Sequence, residues 1–337
     1  MAWYNIKDKY LRPKAAPVFG VFLVRNNNVR FNFKNFVRFA YKTLFESESI
    51  NYRLTPKRIG ILALAYAIYI PVEILIWIGL KLDNYIFDAY RKTEVIEPVF
   101  IIGNPRSGTT LLHRLLAKDE HNFSTMKTWE IFLSPSVTMR KVVYKLILPL
   151  DRFFGYPFSK LVRQVEQLWQ ANNTIHKFSL LEPEEDEYLL LHIFSNLKIW
   201  LFVAMLEEAQ PYIYFDSKMG EKRKQGFMNF YTRCLQRHLF FHNVAEKHYL
   251  SKNPHFSPMV QTLSQYFPDI KIIYLARNPL DMIPSNISLK EEEWQLLGEP
   301  LEEYKSKEFI LEMAQHWYRY PLAWLENLPP DRYHIIN

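Results

Sequence analysis

The sequence predicts a three-layer α/β fold on a central parallel sheet, preceded by a helical segment that is both basic and apolar. Three observations predict it. Two short apolar runs, VFII at Val99–Ile102 and KIIYL at Lys271–Leu275, each pass through a loop into a helical pattern, as parallel strands buried on both faces do. The loop after the first run, GNPRSG at 103–108, is bracketed by glycines and opens a helix. Ahead of both, Ile59–Leu80 is an apolar run of 22 residues, long enough to span a bilayer.

Composition bounds the reading. The chain has 337 residues, 49% hydrophobic and 23% charged, which supports a sizeable core and excludes a disordered or collagen-like polymer. The single cysteine, Cys234, excludes an internal disulfide framework and any multi-cysteine metal site. The net charge of +7 suits an anionic partner without naming one.

That charge is concentrated at the front. Met1–Arg58 carries twelve Lys or Arg against three acids, interleaved with aromatics in VRFNFKNFVRFAYKTLF (Val29–Phe45). The mixture suits a membrane surface, a nucleic-acid patch or the solvated face of a packed helix; we expect the membrane surface and no nucleic acid. In Ile59–Leu80, Pro71 and Glu73 argue against a simple span. Two shorter helices meeting at Pro71 within one leaflet fit as well, and a buried core hairpin is the bland alternative. The expected division is an N-terminal segment, 1–97, and a catalytic domain, 98–337.

Strand β-type pattern, loop and helix follow at PVFIIGNPRSGTT, Pro98–Thr110. Gly103 and Gly108 have the spacing of the P-loop of nucleoside triphosphatases, but Thr109 stands where that motif requires Lys. The loop's cation is Arg106. The backbone amides of this P-loop-like turn suit a phosphate or sulfate. A second unit, Tyr249–Ser288, reads as a strand at Tyr249–Leu250, a helix at about 256–266, a strand at Lys271–Leu275 and a helix from Pro279. Arg277 lies just past a strand end, where open α/β sheets bind ligands, and Ser285 lies eight residues on.

PRSGTT after a strand, with Arg and Ser eight apart after a later strand, resembles the sulfotransferases that use 3′-phosphoadenosine 5′-phosphosulfate (PAPS). Arg106 is similar to the loop cation of the branch holding tyrosylprotein sulfotransferases and many bacterial enzymes. The resemblance implies that Arg106, Ser107, Gly108, Thr109 and Thr110 cradle the 5′-phosphosulfate. It implies that Arg277 and Ser285 hold the 3′-phosphate, and that Lys252 in SKNP stabilises charge on the departing oxygen. The proton acceptor it implies is Glu130 in MKTWE, with His176 as the rival. Glu184, Glu185, Asp186 and Glu187 read as acids opening a helix, with one facing the acceptor as the alternative. No metal is implied. A P-loop kinase or nucleoside triphosphatase, and a non-catalytic membrane-associated binding protein, are the alternative functions.

The resemblance implies sulfuryl transfer from PAPS to a hydroxyl, less readily an amine; among small-molecule, lipid-linked and carbohydrate acceptors, membrane proximity and abundant aromatics point to a lipid-linked or amphipathic alcohol. PAPS is made in the cytosol, so a bacterial enzyme works at the cytoplasmic face of its membrane, and a eukaryotic one as a Golgi type II protein. RYHIIN near Asn337 reads as a last strand, after which the family runs on; the chain is expected to be truncated there.

Overall fold

The structure, a computed structural model, describes residues 30–172, 179–296 and 306–337. Five strands form one sheet: β1 (Val99–Gly103), β2 (Phe123–Ser124), β3 (His248–Lys252), β4 (Lys271–Leu275) and β5 (Tyr333–Ile336). Their order is β2-β3-β1-β4-β5, and every neighbouring pair is parallel. β1 is buried along its whole length, which is why its sequence shows no polar alternation. Register aligns the strands' carboxyl ends: Ile101 lies opposite Lys252, and Gly103 opposite Leu275. Gly103 has φ 143°, and a Cβ there would stand 2.5 Å from the Leu275 carbonyl oxygen. Only glycine lets β1 turn into its loop this close to β4.

Most of the remaining chain is helical. Helices α1 (Phe33–Phe45) and α2 (Pro56–Ile86) precede the sheet, and α3 (Thr109–Leu116) leaves the β1 loop. After β2 come α4 (Thr128–Phe132), α5 (Val137–Val142), α6 (Leu148–Phe153) and α7 (Pro157–Asn172). A 3₁₀ stretch at Asp186–Ile193 leads to α8 (Leu197–Phe202), α9 (Leu206–Ile213), α10 (Phe215–Lys218) and α11 (Glu221–His242). Helix α12 (Val260–Tyr266) joins β3 to β4; α13 (Pro279–Leu296) and α14 (Ser306–Leu325) join β4 to β5. The helix expected at about 256–266 begins as a 3₁₀ turn, Pro254–Met259, because Pro254 and Pro258 cannot donate to an α-helical ladder.

The apolar run departs from two expectations. It is neither a pair of helices meeting at Pro71 nor a core hairpin, but one helix of 31 residues with Pro71 inside it. Its buried stripe, Leu62, Glu73, Ile76, Leu80 and Asp83, faces the domain, while Leu64, Ile68, Ile74, Leu75 and Ile78 are exposed. Glu73 escapes the cost expected of a lone intramembrane acid because it faces the protein, 2.7 Å from His192 Nδ1. Among the described residues α2 is the one helix long and apolar enough to cross a membrane.

The basic face of α1 is partly committed: Arg38 and Lys42 pair with Glu208 at 2.9 and 2.7 Å. Ile50, Tyr52, Ile76 and Leu80 share one continuous core with Phe100, Tyr249 and Trp317, so residues 30–97 and the sheet bury each other. Cys234 lies in that core, and burial pushes its thiol up to about 12, leaving it unreactive.

Candidate active site

The carboxyl ends of β3, β1 and β4 present three groups to one crevice, the position where a parallel sheet whose connections diverge can hold a ligand. From β1 comes the loop. Arg106 adopts φ 68° and Gly108 φ 90°, two left-handed residues that fold the chain back and aim the first amides of α3 outward. Those amides have no acceptor within their own helix. The Ser107 hydroxyl is buried and unpartnered. A buried hydroxyl left without a partner costs about 1–3 kcal/mol, which an incoming anion would relieve.

From the β4 side, Arg277 donates through Nη1 to the Arg106 carbonyl at 2.9 Å, and Arg106 Nε donates to Ser285 Oγ at 3.0 Å. The two separated sequence motifs therefore meet, on one face of the sheet and at one end of it. Tyr318 of α14 donates to the Arg277 carbonyl at 2.5 Å and ties α14 to this corner.

From the β3 side, Lys252 is buried with its ammonium 2.7 Å from Glu185 Oε1 and 3.3 Å from Thr110 Oγ1. Lys198 pairs with the other oxygen of Glu185. Burial works against charge on Glu185, but Lys198, Lys252 and His255 hold its carboxyl well below the ordinary range. The same partnership lifts Lys198 above its usual value, so both groups are ionised. His113, on α3, is pushed down to about 3 by burial first and by the nearby Lys252 charge second, so it is neutral.

The acidic segment is therefore not a set of solvated acids suiting a helix dipole. No side chain caps the 3₁₀ stretch at its start. Asp186 accepts from Tyr231 at 2.6 Å, Tyr249 at 2.8 Å, Ser251 at 3.0 Å and also from Asn253. Glu187 meets His255 Nδ1 at 2.6 Å and accepts from Leu197 N at 3.1 Å. Asp186 anchors the segment to β3 and Glu187 anchors it to the 3₁₀ turn that follows, and Glu185 is left facing Lys252. Sequence reasoning missed Glu185 and Lys198 as a working pair; the signal was four consecutive acids in a segment too apolar to keep them all in water.

Glu130 lies deeper. Its side chain is buried, with Oε1 2.6 Å from His242 and 3.5 Å from Arg140, and Oε2 accepting from Lys127 N at 2.9 Å. Burial disfavours its charge, yet Arg140, His238 and His242 together keep its carboxyl well below the ordinary range. Both oxygens are engaged. His176 lies outside the described residues.

Two clusters have metal-ligand chemistry, Glu130–His238–His242 and Glu185–Glu187–His255. Each already sets a buried cation on its carboxylate, Arg140 in one and Lys252 with Lys198 in the other, and that charge opposes a metal ion.

A model described as the sulfotransferase family matches residues 98–337. The chain belongs to that sulfotransferase family. Its matched region begins one residue before β1 and contains every site residue above. Among curated sulfotransferases, the omega-hydroxy-beta-dihydromenaquinone-9 sulfotransferases Stf3 of Mycobacterium bovis and Mycobacterium tuberculosis are each 27% identical over 205 residues. That match takes in 60% of this chain and 47% of each relative, so the chain spans about half the length of the curated relatives it matches. Two solved sulfotransferases share the fold at 16% identity. STF9 of Mycobacterium avium superposes with TM-score 0.62 over 92% of this chain and 79% of its own. STF1 of Mycobacterium tuberculosis H37Rv gives 0.60 over 92% and 85%.

Proposed function

We propose that this sulfotransferase moves the sulfuryl group of PAPS onto the hydroxyl of a lipid-borne alcohol at a membrane surface. The observation that carries the reading is the meeting of Arg106, Arg277 and Ser285 at one side of the β1 loop with Lys252 at the other. In this reading the loop amides from Arg106 to Thr110, with the free Ser107 hydroxyl, take the 5′-phosphosulfate. Arg277 and Ser285 take the 3′-phosphate, an anchor far from the chemistry that positions the sulfur. Their present partners, Arg106 O and Arg106 Nε, are the contacts the nucleotide replaces.

The acceptor oxygen attacks sulfur in line while the bond from sulfur to the bridging oxygen breaks, and that electron pair leaves with adenosine 3′,5′-bisphosphate. Lys252 stabilises the charge building on the bridging oxygen, preorganised by Glu185 so that little rearrangement is needed. The acceptor proton passes to a carboxylate. Both carboxylates are paired, but position favours Glu185, which stands beside Lys252 with its side chain 13% exposed, over Glu130, whose side chain is 2% exposed. We assign Glu130 to holding α4 against α11. If Glu130→Gln abolishes turnover of folded protein while Glu185→Gln spares it, those two roles reverse.

The acceptor class draws support from the exposed apolar flank of α2 and from the mycobacterial relatives, whose names specify a hydroxylated menaquinone derivative. A bacterial enzyme of this kind works on the cytoplasmic face, where PAPS is made. The test is transfer of label from [³⁵S]PAPS by the full chain to a total membrane-lipid extract. Label is expected in the lipid phase and lost with Lys252→Met. Label confined to water-soluble glycans or peptides overturns the acceptor class, and no transfer to any alcohol overturns the reaction.

A further inference from the structure

The segment between the β2 region and the acids is a second apolar surface, separate from α2 along the chain. From Val137 to Phe153 it runs as one continuous helix, α5 and α6 joined by a π-helical turn at Val143–Ile147 just before Pro149. The chain then reverses at Phe154–Gly155–Tyr156, with Gly155 at φ 79° and Tyr156 at φ 65°, and returns as α7. The reversal is built rather than loose. Asp151, itself buried, accepts the Phe158 amide at 2.7 Å and the Ser159 hydroxyl, capping α7.

This firm hairpin points its apolar residues at solvent. At its tip Phe153 and Phe154 are 79% and 69% exposed. Along α7, Phe158, Leu161 and Val165 form one exposed stripe at helical spacing, the face that a helix in a globular core would bury. With Arg140 set aside, because it is buried against Glu130, basic residues from 137 to 167 outnumber acids five to two. Of the acids, Asp151 is used as the cap and Glu166 accepts from Leu180 N at 2.7 Å. What faces outward is apolar, aromatic and positively charged.

The hairpin's root is fixed to α2. Asp83 accepts from the amides of Val137 and Thr138 at 2.9 and 2.8 Å, and a Cβ on Gly79 would stand 2.6 Å from Ser136 Oγ. The hairpin is therefore joined rigidly to α2, through the stripe of α2 that faces the domain.

We propose that the hairpin at 137–167 is an interfacial membrane element, its Phe153–Phe154 tip seated among the acyl chains of a bilayer and its lysines and arginines among anionic headgroups. Charge of one sign on the polar side and aromatics at the tip suit a lipid interface, and the hairpin's root rests on the one span-length apolar helix among the described residues. The hairpin is tied to the site segment at Glu166, which accepts from Leu180 N at 2.7 Å, while the carbonyls of Leu180 and Glu182 accept from Trp129 and Thr128 of α4. Seated in this way, it sets the crevice at the membrane surface.

The experiment uses the full chain in vesicles, labelled at one engineered thiol, since Cys234 is buried and inert. An environment-sensitive fluorophore is placed at Phe153→Cys and, as a control in the exposed turn after α14, at Glu326→Cys. Vesicles contain spin-labelled acyl chains, with phosphatidylglycerol or with phosphatidylcholine alone. The proposal expects the label at 153 to be quenched several-fold more than that at 326, and more strongly with phosphatidylglycerol. Equal quenching at the two positions overturns it, because α2 alone would then hold the protein. Quenching indifferent to phosphatidylglycerol overturns the headgroup part. A label at 153 that changes with protein density rather than lipid composition assigns the surface to a second copy of the chain instead.

Discussion

The two flanks of the crevice are built on opposite principles. On the β4 side Arg106 and Arg277 are exposed, held through one carbonyl and one hydroxyl, and the Ser107 hydroxyl beside them has no partner. On the β3 side Lys252, Glu185 and Glu130 are withdrawn from water and already paired. A flank with open donors gains its stabilisation from an arriving anion. A flank with compensated charges is ordered before anything arrives and has its field in place. The contrast teaches that binding and turnover should separate by flank: damage on the β4 side weakens the nucleotide, and damage on the β3 side slows transfer.

The largest effect is expected on the paired flank. Lys252→Met should lower kcat by roughly 10²–10³, the cost of one preorganised donor at a developing charge, with nucleotide affinity little changed. Single-turnover transfer and calorimetry on the same sample measure the two halves. A fall in affinity matching the fall in rate would erase the contrast.

Next comes the open flank. Arg277→Ala removes charge-assisted bonds to a phosphate, worth about 1.5–3 kcal/mol, so the Kd for adenosine 3′,5′-bisphosphate should rise by roughly 10–150-fold. At saturating donor, kcat should stay within a few-fold of the parent. A rise in Kd with no change for adenosine 5′-monophosphate localises the loss to the 3′-phosphate.

Acid sharpens the comparison in another way. His113 has its folded value depressed to about 3, against an ordinary ~6.5. Its contribution to stability is therefore complete above about 6.5 and is lost as pH falls toward 3. Glu130, also depressed, adds a loss in the same direction below the ordinary carboxylate range, as pH falls toward its folded value. Thermal melts from neutral to acid should fall steeply for the parent and less steeply for His113→Gln. Parallel curves would show that the buried charges on this flank do not govern acid stability.

The smallest effect is the most diagnostic in sign. Ser107→Ala removes an unsatisfied buried hydroxyl and should stabilise the free protein by up to about 1 kcal/mol, while weakening nucleotide binding. Loss of both stability and binding would mean that the hydroxyl has a partner in the free protein.

Strands β1, β3, β4 and β5 and the open flank were legible in the sequence because their signals are local; β2, two residues long, had none. VFII and KIIYL are apolar runs of strand length, and RYHIIN holds a β-branched pair. Gly103, Gly108 and Arg106 sit in one loop, and Arg277 follows a strand with Ser285 on the next helix. On the paired flank Lys252 and Glu130 stood out in the sequence but their partners did not, because each partnership spans a long loop of chain: Lys252 with Glu185, Glu130 with His242. Only tertiary burial turns Asp186 and Glu187 from helix-opening acids into anchors. Pro71 misled in the opposite sense. A proline costs an isolated helix dearly, but packing of Ile76, Leu80 and Asp83 keeps α2 continuous through it. The hairpin at 137–167 has no distinctive sequence signal, because the exposure of its apolar residues is a property of the fold alone.

The central claim is that two separated motifs grip the two ends of one nucleotide. Its most direct measurement is a calorimetric titration of the full-length chain with adenosine 3′,5′-bisphosphate and with ATP, on the parent and on Arg277→Ala. The account predicts clear preference for the bisphosphate in the parent and loss of that preference in the variant. Equal or tighter binding of ATP by the parent, untouched by the substitution, would contradict it.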